Sequence, residues 1–431
     1  MSEDNSSFEN SGSFVDLLGS PIVFLHEINT LPNFSKIISQ VEGIEKYDRA
    51  ISIARHDDVI LTKTQPEKAY LNWLRSVNLG TDKIIVLNGS SKETLPERVL
   101  NNGTKYRIQS YLEVGRKPAT LSPYFGGFLE QKVSSFLNLE MYSLPQIVRK
   151  YDSKINFKAI CRKIGVPVVD EEIFVINSKN HQTLHALVEV VKNKLFETGK
   201  VIIRGEYGAS ASTTYVLDDS TSLVLQELIS NSKIGDRYMV ESFYKTKSDP
   251  ASVWFITKNR RIIHLKTSNQ ILDEETSHMG NEFPVHFDER QIKKLSYLIA
   301  EQFMREGYIG PFGLDYIETK DGIFAAECNP RVTGSIYPWE LVTRLENRDH
   351  TQIPAARSEN FHMPRKGMTF SDLQQVWDSY LYDGKQTTGV IIPFNVGPIS
   401  NGKISILGTG SSKKEVESLL HDAKSSLMEL Q

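Results

Sequence analysis

Asp315, Glu327, Asn329 and Arg331 are residues whose types and spacing could do chemistry together. They lie in the stretch Gly310 to Trp339, where two short apolar runs, Phe312 to Ile317 and Gly322 to Ala326, flank a polar turn at Lys320, Asp321 and Gly322. That pattern predicts a β-hairpin. Folding it brings Asp315 opposite Glu327, and period-two alternation puts Glu327, Asn329 and Arg331 on one face. Two carboxylates and an amide oxygen form an all-oxygen site of the kind Mg²⁺ takes, with Mn²⁺ as a substitute, when it is shared with a substrate phosphate. The planar guanidinium of Arg331 suits a phosphate or a carboxylate. A plain hairpin with solvated acids is the competing reading. Four polar residues sharing a face beside apolar runs, just before the turn at Pro330 and Gly334, favour a site.

The elements that must position these groups come from a chain of 431 residues, long enough for two or three domains with sizeable cores. Fifty basic residues against 53 acidic ones give a formal charge of −3, which points to no nucleic-acid partner. No apolar run reaches the length of a membrane span, and the polar, acidic start MSEDNSSFENSGS lacks a signal-peptide pattern, so a cytoplasmic enzyme is expected. Residues 1–13 read as a disordered tail. Two cysteines, Cys161 and Cys328, are too few for a disulfide framework or a thiolate cage, and both read as structural. From Pro21, strand-like PIVFLHEI, RAISIAR, DVILT and KIIVLNG interleave with helical KAYLNWLRSV, which predicts a mostly parallel α/β domain. Asp152 or Ser153 caps a helix running to Lys163, stopped at Gly165 and Pro167. YMVESFYKTKSDPASVWFIT reads as two strands around a turn, and IIHLKT as a strand from which Lys266 projects into the cleft. His278 to Asn281 read as a loop, and TRLENRDHTQIPAARSEN as a connector.

GLDYI followed by ECNPRVTGS, with the Glu twelve residues after the Asp, resembles the metal-binding segment of the ATP-grasp ligases. The resemblance implies an enzyme that uses ATP to phosphorylate a carboxylate, whose acyl phosphate a nucleophile then captures. It implies that Asp315, Glu327 and Asn329 hold the metal and that Arg331 steadies the acyl phosphate. Lys154, eleven residues before Gly165, would sit on a nucleotide phosphate, with Lys158 as the fallback one turn later. Arg204 stands where the family carries a lysine, ahead of a loop from Gly205 to Ser212 whose small residues, Ser210 among them, would approach phosphate oxygens. Glu241 would take the adenine amino group, the backbone at Ser242 and Phe243 would pair with the ring, and Asp249 would hold the ribose. His278 or Asn281 would touch substrate from a closing loop.

The fold class expected is α/β and α+β. A pre-ATP-grasp α/β domain spans 14–140, an ATP-grasp catalytic domain 141–345, and a C-terminal α-β-β-α domain 346–431. As a whole the chain is similar to the pheganomycin-type peptide ligases and to butirosin-pathway ligases. The latter resemblance implies transfer of L-glutamate through its γ-carboxyl to the phosphopantetheine thiol of an acyl carrier protein in antibiotic biosynthesis. An amide-forming ligase joining an amino acid to an amine or peptide is the alternative, and a catalytically silent ATP-binding module the third reading.

Overall fold

The structure, a computed structural model, describes residues 9–10, 12–31, 46–90, 92–101, 103–112, 119–142, 144–208, 213–218, 222–273 and 276–429. Ser210, and residues 1–8 and 11 of the expected tail, lie outside the described residues.

Short runs of β-branched and aliphatic residues bounded by turns build the first unit. Strands Ile22–Leu25, Val59–Thr62, Ile84–Val86, Thr120–Pro123 and Glu140–Met141 pair in parallel, with Ile22–Leu25 central. Ile22–Leu25 and Val59–Thr62 are buried along their whole length, as a sheet covered by helices on both faces requires. RAISIAR, expected as a strand, belongs instead to the helix Lys46–Ile53. Its alternating Ile and Ala residues fit either period, and burial of Ala50, Ile51, Ile53 and Ala54 against neighbouring elements decides for the helix. The tail expectation also needs correcting. Glu9–Asn10 is a strand pairing in parallel with Ile263 and His264, and Ser13 caps the helix Phe14–Leu18 by accepting from the Asp16 amide.

The second unit is a four-stranded sheet in the order Glu171–Val175, Arg237–Ser242, Val201–Gly205, Thr214–Leu217, all antiparallel. Helices His181–Thr198 and Ser222–Asn231 cover it, sealing a small core around Leu187, Val191, Val201 and Leu228. Ahead of it stands the helix Lys154–Lys163, capped by Ser153 as expected, whose hydroxyl accepts from the Asn156 amide at 3.2 Å.

The third unit is a mostly antiparallel sheet of nine strands. Its main path runs Gly322–Asn329, Gly310–Thr319, Pro250–Ile256, Ile262–Asp273, Ser277–Phe283, Ala355–His362, Lys403–Gly410, Val390–Asn395. Three expectations change here. Arg237–Ser242 and Pro250–Ile256, expected as strands around one turn, lie in different sheets, so residues 243–249 bridge the two. His278 to Asn281 form part of a strand, not a loop, and Gly280 is needed there because a Cβ would stand 1.8 Å from the Ser358 carbonyl oxygen of the neighbouring strand. The expected connector after Thr343 is the end of the helix Ile336–Asp349 and the strand Ala355–His362. The helix Phe370–Trp377, two strands and the helix Lys413–Met428 follow in the α-β-β-α order expected, but their strands extend the same sheet that carries the Asp315–Glu327 hairpin.

Candidate functional site

Antiparallel pairing sets Asp315 opposite Glu327 and Gly313 opposite Asn329, with a bulge just after Asp315. The alternation that buries Leu314 and Cys328 on one face turns the three polar side chains to the other. Asn329 Nδ2 donates to Asp315 Oδ2 at 2.8 Å and to Glu327 Oε1 at 3.5 Å. A positively polarised amide nitrogen thus lies between two carboxylates, where a cation would be stabilised most. Among the described residues no group of three or more His, Cys, Asp or Glu side chains gathers as a metal site. The two carboxylates suit Mg²⁺ completed by phosphate oxygens and water, because Mg²⁺ seldom takes an all-protein cage; Asn329 joins them as a ligand only with its amide turned over, since its Nδ2 faces the acids and its Oδ1 accepts from Arg331. Burial, reinforced by the Glu327 charge, pushes Asp315 up to about 7. Glu327 is held below the usual carboxylate range, because Lys154 and Arg204 outweigh the opposing effect of burial.

Arg331 follows on the same face. Its Nη2 donates to Asn329 Oδ1 at 2.6 Å and its Nη1 to the Tyr124 hydroxyl at 3.2 Å, while its buried Nε has no hydrogen-bond partner. Lys154 Nζ lies 3.3 Å from Glu327 Oε2 and donates to the Gly208 carbonyl at 3.0 Å. It therefore stands between the acidic pair and the small-residue loop after Val201–Gly205. A cation in the first turn of its helix opposes the helix dipole, and Glu327 offsets that cost.

Arg204 and Glu241 are neighbours on adjacent strands, and their side chains pair in bidentate fashion at 2.6 and 3.1 Å. Lys158, fully buried, also bonds Glu241 and donates to the Val169 carbonyl at 2.7 Å. Burial alone would raise Glu241, but the two cations hold it at about 2. Glu241 lines the cleft, where the adenine contact is expected, and its carboxylate is the anionic centre of a buried cluster. Phe243 also lines the cleft, with its amide donating to the Lys200 carbonyl at 3.0 Å and its ring 4.6 Å from Lys200 Nζ. Ser242 and Asp249 line the cleft, as do Tyr244, Lys245 and Thr246, which sequence reasoning passed over. Thr246 Oγ1 donates to Asp249 Oδ2 at 3.2 Å.

Lys266 does not enter the cleft. Its Nζ sits 4.0 Å from the Phe283 ring centroid and 4.8 Å from that of Trp339, and burial lowers its pKa. The charged groups nearest it, Glu346, Glu289 and Lys293, belong to helices packed on the sheet. Spacing along a strand cannot say which face meets the cleft when both are covered. Both cysteines are buried and burial raises both thiols, Cys161 to about 12, so neither is a nucleophile.

A cleft of about 830 Å³ joins these groups. Lys158, Arg204, Glu241 and residues 242–246 line one end, the hairpin acids and Arg331 the middle, and Arg49, His278, Asn360 and Lys403 the far end. His278 Nε2 and Asn281 Oδ1 are 2.7 Å apart. Arg49, Tyr124, Asn360 and Lys403 were not legible as site residues, because each comes from a different element far along the chain.

An ATP-grasp domain model matches residues 188–335. No curated protein matches the sequence. Among solved structures, the chain is similar to N5-carboxyaminoimidazole ribonucleotide synthetase in its ADP complex, with 12% identity, 94% of this chain and 95% of that one covered, and a TM-score of 0.56. The Thermus thermophilus enzyme of the same name gives 13% identity, 94% and 98% coverage and a TM-score of 0.54. The biotin carboxylase domain of Hydrogenobacter thermophilus 2-oxoglutarate carboxylase, with MgADP, ADP and bicarbonate, gives 13% identity, 93% and 89% coverage and a TM-score of 0.56. The parallel front sheet, the covered four-stranded sheet and the long antiparallel sheet that follows are the architecture shared with these structures: the chain has the ATP-grasp fold, with residues 188–335 the segment that the ATP-grasp domain model matches.

Proposed function

We propose that this protein is an ADP-forming ligase that activates a carboxylate as its acyl phosphate. The observation that carries this reading is the convergence of Lys154, Asp315, Glu327, Asn329 and Arg331 beside a cleft on the ATP-grasp fold. The purine lies between the two sheets, against residues 242–246, with Asp249 at the ribose. Arg204 and Lys158 act there with their charges largely offset by Glu241 and, 3.4 Å from Lys158, by Glu171. Lys154 balances phosphate charge directly. Asp315, Glu327 and Asn329 would hold Mg²⁺, which when bound neutralises phosphate oxygens. Phosphoryl transfer depends mainly on positioning and electrostatics, so no covalent protein intermediate is needed. The substrate carboxylate attacks the γ-phosphate in line, ADP leaves, and the unpartnered Nε of Arg331 is a donor for the acyl phosphate. The acceptor then displaces phosphate at the carbonyl, a step that requires water to be kept from the intermediate.

For the acceptor, the reading supported by whole-chain resemblance is the phosphopantetheine thiol of an acyl carrier protein receiving the γ-glutamyl group. An amine acceptor, giving an amide, uses the same site. Purified protein incubated with ATP, Mg²⁺ and amino acids, with and without a phosphopantetheinylated carrier protein, separates them. A glutamate-dependent mass gain on the carrier supports the thioester, and a free amide product supports the amine. No ADP under any condition refutes the ligase reading.

A further inference from the structure

Buried charges need partners, because the loss of hydration costs several kcal/mol per ion. Several buried charges near the cleft have one. Glu241 has Arg204 and Lys158, Glu327 has Lys154, and Glu206 has Arg237. The far end of the cleft breaks the pattern. Arg49 is only 4% exposed, pairs with no carboxylate among the described residues, and leaves its Nε without a hydrogen-bond partner. Its Nη2 donates to the Asn360 amide oxygen at 3.2 Å, and its guanidinium lies over the Tyr337 and Phe394 rings at 5.9 and 5.6 Å. Asp48, next in sequence, spends its carboxylate on the Val396 and Gly397 amides at 2.6 and 2.7 Å. Lys403 lines the same end, half-buried, with no ion pair among the described residues. Burial and the nearby Arg49 charge lower its pKa, so the two cations repel one another across this end.

The backbone adds to the imbalance. Gly334 and Ser335 line the cleft immediately ahead of the helix Ile336–Asp349, whose N-cap side chain makes no capping bond and whose first turn carries no acid. Arg49 Nη1 comes within 3.6 Å of where a Gly334 Cβ would stand, so the guanidinium and the positive end of the helix share one place. Tyr124 sits between this place and the hairpin: its hydroxyl accepts from Arg331, and its position also acts on Arg49. Nothing in the acyl-phosphate chemistry requires this second positive centre.

We propose that Arg49, Lys403 and the Gly334–Ser335 helix start form a subsite for an anionic group, a carboxylate or a phosphate, carried by one of the two molecules being joined, at a point away from the reacting carboxylate. This rests on the ligase reading for what the cleft does, but not for whether the anion binds. The subsite selects doubly anionic substrates, because a substrate with no anion to spare for this end would leave the buried Arg49 without an ion-pair partner.

Calorimetric titration of the full chain, without nucleotide, tests it with butyrate, glutarate, adipate and inorganic phosphate. Binding of a dicarboxylate or of phosphate about 10-fold or more tighter than butyrate is expected. Lys403→Met, at a half-exposed position, and Arg49→Gln are each expected to remove that preference, with Arg49→Lys restoring part of it. A dicarboxylate preference identifies a carboxylate as the anion, and a phosphate preference a phosphate. Wild-type protein that binds none of these above butyrate, or a folded Lys403→Met protein that keeps the preference, overturns the proposal. Anion binding that follows the two cations while no acid yields ADP would sink the ligase reading and leave the subsite standing.

Discussion

Replacing Glu327 by Gln keeps the shape of the hairpin and removes one charge from its centre. Glu327 Oε2 lies 3.3 Å from Lys154 Nζ, a separation worth about 5 kcal/mol of direct attraction at an effective dielectric near 20. The loss to folding is far smaller. The mutation also removes the cost of burying a carboxylate, relieves the repulsion that raises Asp315, and leaves Lys154 its bond to Gly208. We therefore expect a change in unfolding free energy within about 1.5 kcal/mol, as for a typical substitution. Catalysis should respond much more strongly. Losing one preorganised charge that acts on the phosphates is expected to lower kcat about 100- to 1,000-fold, the scale of deleting a transition-state contact. ADP release measured against Mg²⁺ concentration, with urea unfolding in parallel, reads both quantities. A Glu327→Gln protein that turns over at the wild-type rate with an unchanged Mg²⁺ requirement would refute the assignment of the hairpin.

Glu241→Gln should act on the fold, since it strips Arg204 of its carboxylate and leaves Lys158 with Glu171 alone, at 3.4 Å. A loss of about 3–5 kcal/mol is expected in urea unfolding, and a change below about 1 kcal/mol would show the cluster to be dispensable. Asp315 gives a pH signature in metal-free protein. Its folded pKa, raised to about 7, lies above its unfolded value, so the native state holds the extra proton between about pH 4 and 7. Its contribution to stability therefore falls as pH rises through that window, and melting curves of wild type and Asp315→Asn should diverge between about pH 4 and 7; parallel curves would contradict the burial argument. Lys266→Met should retain activity within about 3-fold, because the amine packs on Phe283 and Trp339 outside the cleft. A loss of about 100-fold in kcat with an unchanged melting temperature would return Lys266 to the reaction.

The parts of the site visible in the sequence are those that local geometry determines. The facing of Asp315 and Glu327 and the shared side of Asn329 follow from a tight hairpin and the period of a strand. The Ser153 cap and the position of Lys154 follow from one helix start. Where several elements must meet, local rules run out. RAISIAR fits two periods, and packing chose the helix. Lys266 sits on a strand covered on both faces, so its parity alone leaves its face open. Glu241 carries the expected residue type at the expected place, yet Arg204 and Lys158, 37 and 83 residues away, claim its oxygens. Arg49 and Lys403 stand at opposite ends of the chain, and no spacing rule joins them.

The long antiparallel sheet runs without a break from the metal hairpin to strands beyond residue 390. The segment matched as an ATP-grasp domain, 188–335, is therefore not a piece that could be cut out and kept whole. Excision would remove Ala355–His362 from beside Ser277–Phe283 and bare a row of backbone amides and carbonyls. Such a fragment would offer a template for its own copies to stack upon.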